Sequence, residues 1–276
     1  IMLKKILPII FIIVVVAAYA QNVMWGDGVT VYKGNYIYYL ESVENDDDTI
    51  SVIWSESDET TRSVKYQKLS PDGTPILLEP ATVYSSEIDL QNGELAKSSD
   101  GNLFTILYEC TETTWDVPYL TKLNTNGSII WSAIIENSLF ASIYPDDQGG
   151  CFLIGNGVYH YSTDGSLEWY TPYELTLNSY KAVTLENSLY FFYPENGYCY
   201  LQKILINGES GWDQPLFIGE VYSFWNGSAI TVFNDTLFLA WKASYTSTYI
   251  QTIDQEGNLL NDDPLFEESF EYNPQF

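Results

Sequence analysis

A turn containing glycine recurs five times along the chain, and this repeat constrains the possible folds more than any other feature. In every copy the glycine follows Asp, Asn or Glu, and a short apolar or aromatic stretch precedes the turn. The five glycines are Gly73, Gly127, Gly165, Gly208 and Gly257. Asp-Gly and Asn-Gly pairs readily adopt the positive φ that tight hairpins require. Recurrence every 38 to 54 residues is typical of stacked structural units.

A second signal lies upstream of each glycine turn: a polar turn followed by a strongly apolar segment. The copies begin near residues 48, 101, 150, 188 and 236. With the shorter strand candidates around them they give four strands per unit, the dimension of a propeller blade of roughly 40–50 residues. The sequence therefore predicts an all-β fold, a β-propeller of about five four-stranded blades, with either a closed or an incomplete ring. A pair of β-sandwiches is the alternative, but it does not predict the recurrent turn.

Three of the five turns continue as Gly-x-x-x-Trp, which places Trp131, Trp169 and Trp212 four residues after the glycine. The first and last turns carry Leu77 and Asn261 at this position. A large ring at a fixed offset from a hairpin is well placed to pack one sheet on the next. We therefore assign the three tryptophans and the five turn glycines a structural role in the repeat.

The first twenty residues differ from the rest of the chain. Lys4 and Lys5 precede an apolar run that ends in Ala18-Tyr19-Ala20, a pattern typical of a signal-peptidase site. The run is shorter than the roughly 20 residues that a membrane-spanning helix needs, although a membrane anchor remains the alternative. We predict a signal peptide over residues 1–20 and a secreted or cell-surface protein, with a periplasmic location as an alternative, and no membrane span after cleavage.

The remaining residues, 21–276, are predicted to form one β-propeller-like repeat domain. The repeats lie at approximately 35–86, 87–137, 138–176, 177–220 and 221–266. Residues 25–32 resemble the strand that follows a glycine turn. This segment either completes the last blade or belongs to a further, partial blade.

The Gly-x-x-x-Trp turns resemble the repeats of pyrroloquinoline-quinone-type propellers, including the non-enzymatic ones. Residues 66–73 and 25–29 also resemble repeats in large secreted proteins of Bacteroidetes. This resemblance covers most of residues 23–266 and implies a propeller fold and export, not an activity. The quinoprotein enzymes of that family carry an adjacent cysteine pair, whereas Cys110, Cys151 and Cys199 are far apart here. We therefore expect no cofactor.

The acidic composition restricts the possible partners. The formal charge is −26, and removal of residues 1–20 takes away two lysines and no acid, giving −28. Such a surface repels nucleic acid phosphates, so a nucleic acid partner is not expected. Asp46, Asp47 and Asp48, and likewise Asp146 and Asp147, put several oxygens on short turns. Calcium is the ion that would suit them, although neither turn has EF-hand spacing and a solvated turn is the alternative.

Catalytic motifs are absent from the sequence. His160 is the only histidine, so a Ser-His-Asp triad would depend on this residue alone, and its strand setting favours a structural role. Arg62 is the only arginine and cannot supply the arginine cluster of a sialidase. No zinc-binding spacing and no phosphate-binding glycine loop occur. No residue is assigned a catalytic or cofactor-binding role, and glycoside hydrolysis by paired carboxylates remains the enzymatic alternative.

The sequence therefore favours an exported, non-catalytic recognition or scaffold module. Tyr and Trp rings combine flat apolar faces with a polar group, so they suit recognition of a glycan, a peptide or a cell-surface protein. Tyr198 and Tyr245 are candidate exposed rings near loops. The protein is expected to be a monomer, and an alternative role is a segment of a long surface protein in which the blades only position other domains.

Overall fold

Five antiparallel sheets, each of four strands, make up the computed structural model. The structure describes residues 36–57, 61–110, 115–136, 141–172, 180–222, 228–244, 247–261 and 263–268. In every sheet the strands are hydrogen-bonded in the order in which they follow one another along the chain. The predicted all-β propeller of five four-stranded blades is confirmed. The predicted signal peptide and residues 25–32 lie outside the described residues.

Each sheet is one blade, numbered in chain order. Blade 1 contains β1 (Tyr36–Glu44), β2 (Ile50–Ser57), β3 (Arg62–Leu69) and β4 (Ala81–Ser86). Blade 2 contains β5 (Asp89–Lys97), β6 (Leu103–Cys110), β7 (Trp115–Leu123) and β8 (Ile129–Ile134). Blade 3 contains β9 (Ser142–Pro145), β10 (Cys151–Ile154), β11 (Gly157–Tyr161) and β12 (Leu167–Pro172). Blade 4 contains β13 (Lys181–Leu185), β14 (Ser188–Glu195), β15 (Tyr198–Leu205) and β16 (Leu216–Glu220). Blade 5 contains β17 (Ala229–Phe233), β18 (Thr236–Lys242), β19 (Ser247–Ile253) and β20 (Leu265–Glu268).

In blades 1 to 4 the second strand is largely apolar because its central residues are buried on both faces, whereas β18 of blade 5 is fully buried on one face only. In β6, Leu103 and Leu107 pack towards blade 1. Phe104 and Ile106 alternate with them and pack towards blade 3. A continuous apolar run, instead of an alternating one, is what a strand between two neighbouring sheets requires. Comparable clusters join blade 3 to blade 4 and blade 4 to blade 5.

The antiparallel order defines two ends of the molecule. The turns between first and second strands and between third and fourth strands lie at one end, which we call the turn end. The connections between second and third strands and from one blade to the next lie at the opposite end, the loop end. The first strands of successive blades contact one another from β1 to β5, β9, β13 and β17, so they form the inner side of the array.

The described part of the chain contains no helix that is long and apolar enough to cross a membrane.

Candidate functional site

The five turn glycines all adopt the left-handed conformation at the turn end. Their φ values lie between 79° and 88°. Each glycine amide donates to the carbonyl three residues earlier, as Gly165 does to Ser162 at 3.0 Å. A residue with a β-carbon is strained at such a φ, which explains why glycine recurs at this position.

Rings from one blade cover the glycine turn of the next blade. The indole Nε1 of Trp131 donates to the Thr163 carbonyl at 2.9 Å, and that of Trp169 donates to the Ile206 carbonyl at 2.7 Å. A β-carbon on Gly165 would lie 2.7 Å from the Trp131 ring, which is closer than atoms can approach. A β-carbon on Gly257 would likewise lie 3.2 Å from the Trp212 ring. These tryptophans connect neighbouring blades.

Sequence reasoning missed the residue that connects blade 1 to blade 2. Tyr66 donates its hydroxyl to the Thr125 carbonyl at 3.0 Å, and a β-carbon on Gly127 would lie 2.5 Å from its ring. Tyr66 precedes its own glycine turn instead of following it, so the Gly-x-x-x-Trp pattern gave no sign of it. Asn261 of blade 5 interacts within its own blade, where its carbonyl accepts from Gln251 Nε2 at 3.1 Å.

His160 is held between two carboxylates. Its Nε2 lies 2.9 Å from Asp146 Oδ2 and its Nδ1 lies 3.0 Å from Glu168 Oε2. The imidazole is almost completely buried and stacks on Trp169 with ring centroids 5.7 Å apart. Because both ring nitrogens already have partners, the geometry leaves no nitrogen to activate a nucleophile.

Lys122 occupies the equivalent position in blade 2, five residues before the turn glycine. Its ammonium donates to Asp100 Oδ2 at 2.6 Å and to the Gly149 carbonyl of blade 3 at 2.7 Å. Only 1% of the residue is exposed. Lys122 therefore joins the turn ends of blades 2 and 3, whereas the two carboxylates that contact His160 both belong to blade 3.

The carboxylates of the two acidic turns interact with their own turns and with nearby cations. Asp47 accepts from the Thr49 hydroxyl and from Lys68 Nζ, and these hydrogen bonds lower the pKa of Asp47 to about 2. Asp146 accepts from the amides of Gln148 and Gly150 at 2.7 and 2.8 Å. Across the described ranges, no three His, Cys, Asp or Glu side chains form a group that could hold a metal ion. Calcium binding at these turns stays a prediction.

Two cysteines are free thiols buried in the blade cores. Cys151 packs between blades 2 and 3, and Cys199 packs between blades 4 and 5. Burial raises the pKa of both thiols, that of Cys199 to about 12. A thiol that is protonated at neutral pH is a poor nucleophile, so both behave as small apolar residues.

A cleft lined by tyrosines opens at the loop end between blades 1 and 2, and it is the candidate functional site. It has a volume of about 350 Å³ and is shallow and widely open to solvent, so a ligand would lie on the rings without being enclosed. We call it the tyrosine cleft; its lining residues are Tyr36, Tyr38, Tyr39, Ser57, Arg62, Asp89 and Gln91. Tyr36 is 74% exposed and Tyr39 is 50% exposed. Rings as exposed as these contribute little to a core and are available to a ligand.

A β-bulge in β1 presents these rings. Tyr38 pairs with Ser55 and Glu41 pairs with Ile53, so β1 carries one extra residue between these pairs. Tyr39 lies in the bulge with φ 50°, a left-handed conformation that is rare for a bulky side chain. The Tyr38 and Tyr39 rings meet edge to face with centroids 5.3 Å apart. Bulges commonly redirect side chains next to binding sites, and backbone strain concentrates at such places.

Polar groups also line the cleft. Arg62 Nε lies 3.5 Å from Asp89 Oδ1, and the Tyr38 hydroxyl lies 3.4 Å from the same oxygen. Burial, followed by the charge of Asp89, raises the pKa of Tyr38 to about 12, so the hydroxyl remains a hydrogen-bond donor at neutral pH. The cleft therefore offers exposed aromatic faces, a guanidinium, a carboxylate and the Gln91 amide, the groups that stack on and hydrogen-bond to a polar ligand.

The two rings singled out from the sequence have different outcomes. Tyr198 is 39% exposed and lies against Phe217 on blade 4, remote in sequence from the cleft. Tyr245 lies outside the described residues. Sequence reasoning did not identify the cleft, although Tyr36, Tyr38 and Tyr39 stand close together in the sequence and Arg62 is the only arginine.

Neither a family model nor a curated protein matches the sequence. The structure is similar to that of prolyl oligopeptidase B from Galerina marginata, with a TM-score of 0.52, 14% identity, and coverage of 88% of this chain and 37% of that chain. It is also similar to a eukaryotic initiation factor, with a TM-score of 0.51, 10% identity, and coverage of 84% and 55%. A protein of unknown function from Bacteroides caccae gives a TM-score of 0.47 at 11% identity, with coverage of 87% and 84%.

At these identities the likeness establishes the fold alone. The chain spans less than two thirds of the length of the prolyl oligopeptidase and of the initiation factor. The neighbours support a propeller fold without distinguishing the pyrroloquinoline-quinone type, which stays a prediction. The described residues form an all-β propeller of five four-stranded blades.

Proposed function

We propose that the protein is an exported, non-catalytic recognition module that binds a glycan in the tyrosine cleft. The observation that carries this proposal is the grouping of three tyrosines, two of them at least half exposed, around an arginine and a carboxylate at the loop end. Sugar rings present flat C–H faces to aromatic rings and hydroxyls to charged and amide groups. Export follows from the signal peptide predicted over residues 1–20, and the repeats are proposed to be of the non-enzymatic pyrroloquinoline-quinone type.

The strained bulge supports recognition at this cleft. A bulky residue at positive φ costs about 1–3 kcal/mol, and such strain is often retained where the side chain has a role. The Tyr39 ring is half exposed, so its packing offsets little of this strain energy. A ligand that stacks on the ring would offset more of the strain energy.

The test is a glycan array probed with the purified chain in parallel with two variants. Tyr36→Ala removes a ring of the cleft, and Phe233→Ala removes a ring of similar exposure on blade 5. We expect binding to a defined set of neutral or acidic glycans that Tyr36→Ala weakens at least about tenfold, a change of about 1.4 kcal/mol. Binding that both variants weaken equally, or an array without signal, would contradict the proposal.

An exported glycoside hydrolase is the second candidate, and Glu94 is the residue that favours it. Desolvation by the surrounding protein, assisted by the nearby charge of Glu41, raises the pKa of Glu94 although the side chain keeps contact with solvent. Glu94 also accepts a hydrogen bond from the Ile143 amide of blade 3 at 2.9 Å, which gives it a structural use. If the protein hydrolyses the array glycans and Glu94→Gln abolishes this activity, the result favours the hydrolase. Glycans that remain unchanged favour recognition.

A further inference from the structure

A second group of aromatic rings lies on blade 4, two of them exposed and two partly buried. Tyr193 stacks on Tyr200 with centroids 5.9 Å apart, and Tyr200 meets Phe217 at 5.9 Å. Tyr198 meets Phe217 at 5.7 Å. We call Tyr193, Tyr198, Tyr200 and Phe217 the aromatic platform. At its inner border the buried Phe191 stacks on Tyr193 at 5.2 Å, so the platform continues the blade core outwards.

The platform is exposed because blade 3 is shorter than blade 4. Strands β10 and β11 have four and five residues, whereas β14 and β15 each have eight. At about 3.3 Å per residue, three or four additional residues extend blade 4 by roughly 10–13 Å. Phe191 packs against blade 3, and side-chain alternation places Tyr193 on the same face but further towards the loop end. Phe217 consequently remains 53% exposed.

Carboxylates flank the platform. Tyr198 is paired directly with Glu195 on β14 and with Glu220 on β16. Residues directly opposite each other in a sheet project from the same face, and both glutamates are exposed. The two lysines of blade 4 lie on the other face, because Lys181 pairs with Phe192 and Lys203 pairs with Tyr190. Those two rings pack towards blade 5.

We propose that the aromatic platform binds an arginine-bearing segment of a protein partner. Guanidinium groups stack on the faces of aromatic rings and form hydrogen bonds with carboxylates at the same time. Phe217 and Tyr198 supply the faces, and Glu195 and Glu220 supply the carboxylates. The charge on this face favours a cationic peptide over a neutral sugar. The site lies on blade 4 and is separate from the tyrosine cleft between blades 1 and 2.

The test uses the full chain and three labelled probes of equal length, Gly-Arg-Gly-Arg-Gly-Arg, Gly-Lys-Gly-Lys-Gly-Lys and Gly-Glu-Gly-Glu-Gly-Glu. Fluorescence polarisation is measured for the original chain and for Phe217→Ala, with Phe233→Ala as the control for an exposed phenylalanine. A double variant, Glu195→Gln with Glu220→Gln, is compared with a second double variant, Glu186→Gln with Glu209→Gln, which removes two exposed glutamates at the turn end of the same blade. Thermal melting of each variant establishes that it is folded.

We expect the arginine probe to bind most tightly and the acidic probe not to bind. Phe217→Ala should weaken arginine binding at least about fivefold, a stacking contribution of roughly 1 kcal/mol. The Glu195→Gln, Glu220→Gln variant should weaken binding more than the Glu186→Gln, Glu209→Gln variant does, and it should make binding less dependent on salt.

The proposal is overturned if Phe217→Ala binds the arginine probe as tightly as Phe233→Ala does. Equal losses for the two double variants would overturn it as well, because they would assign binding to the net charge alone. Absence of binding to the arginine probe by the original chain is the third contradicting result. Tyr36→Ala should leave binding of the arginine probe unchanged, so the result for the aromatic platform is independent of the glycan proposal.

Discussion

Glycine and an aromatic ring form a pair at each boundary between blades. The glycine permits a positive φ in one blade, and its missing β-carbon makes room for a ring of the preceding blade. Trp131 with Gly165 and Trp169 with Gly208 are two such pairs, each closed by an indole hydrogen bond to a turn carbonyl. A hydrogen bond of this kind contributes about 0.5–1.5 kcal/mol, and burial of the ring adds to it.

Gly165→Ala should lower the free energy of unfolding by about 2–5 kcal/mol. A left-handed alanine costs about 1–2 kcal/mol, and the clash with Trp131 adds about 1–3 kcal/mol of overpacking. Gly101→Ala is the matched control, since Gly101 has a φ of 81° with no atom within 4 Å of a β-carbon. Urea denaturation should show a loss of only about 1–2 kcal/mol for the control. Equal losses in the two variants would mean that the ring contact contributes nothing.

Glu94 should make the stability of the protein depend on pH. Its pKa is raised in the folded state, so its favourable contribution is present below the unfolded pKa of about 4.5 and is lost as the pH rises through the folded value. Glu94→Gln keeps an oxygen for the Ile143 amide and removes the charge. The variant should therefore melt close to the original chain near pH 4 and above it near pH 7. A difference in melting temperature that does not change with pH would contradict the raised pKa.

At the scale of the strands, the repeat predicted which segments form blades, because the apolar second strands and glycine turns are local signals. Two features of the proposed binding sites could not be predicted from local patterns. The bulge in β1 depends on pairing with β2, which no local pattern specifies, and it directs Tyr39 into the cleft. The platform depends on the difference in length between blades 3 and 4, since the strands of blade 4 continue beyond the ends of those of blade 3.

Tyr39→Asn should separate strain from binding. Asparagine adopts the left-handed region several-fold more readily than tyrosine, so the melting temperature should stay the same or rise by a few degrees. Glycan binding should fall because the ring is lost. Differential scanning fluorimetry and the glycan array measure the two effects. A clear fall in melting temperature would show that the Tyr39 ring stabilises the bulge instead of serving a ligand.

At the scale of the whole molecule, the number of blades and the all-β architecture followed from the sequence, whereas the connection from blade 1 to blade 2 did not. Tyr66 makes the contact with the next blade that the tryptophans make in later repeats, but it lies on β3, before its own glycine turn. Spacing after the glycine therefore did not predict this contact. The candidate site lies between blades, where residues distant in sequence meet. Arg62 and Asp89 belong to different sheets, and only the folded structure brings them within 3.5 Å.

The charge of −26 should destabilise the folded molecule at low ionic strength through self-repulsion. Raising NaCl from about 0.01 M to about 0.15 M shortens the screening length from roughly 30 Å to about 8 Å. We expect the melting temperature to rise over this interval. A fall would mean that attraction within ion pairs such as Lys122 with Asp100 outweighs the repulsion.

The most direct test of the tyrosine cleft as a glycan-binding site is hydrogen–deuterium exchange with and without the oligosaccharide that binds most strongly on the array. We predict protection in residues 36–41 and at the start of β3 around Arg62, with blade 4 unchanged. Protection confined to other blades, or a bound glycan that leaves β1 exchanging as before, would contradict the assignment of the tyrosine cleft as the binding site.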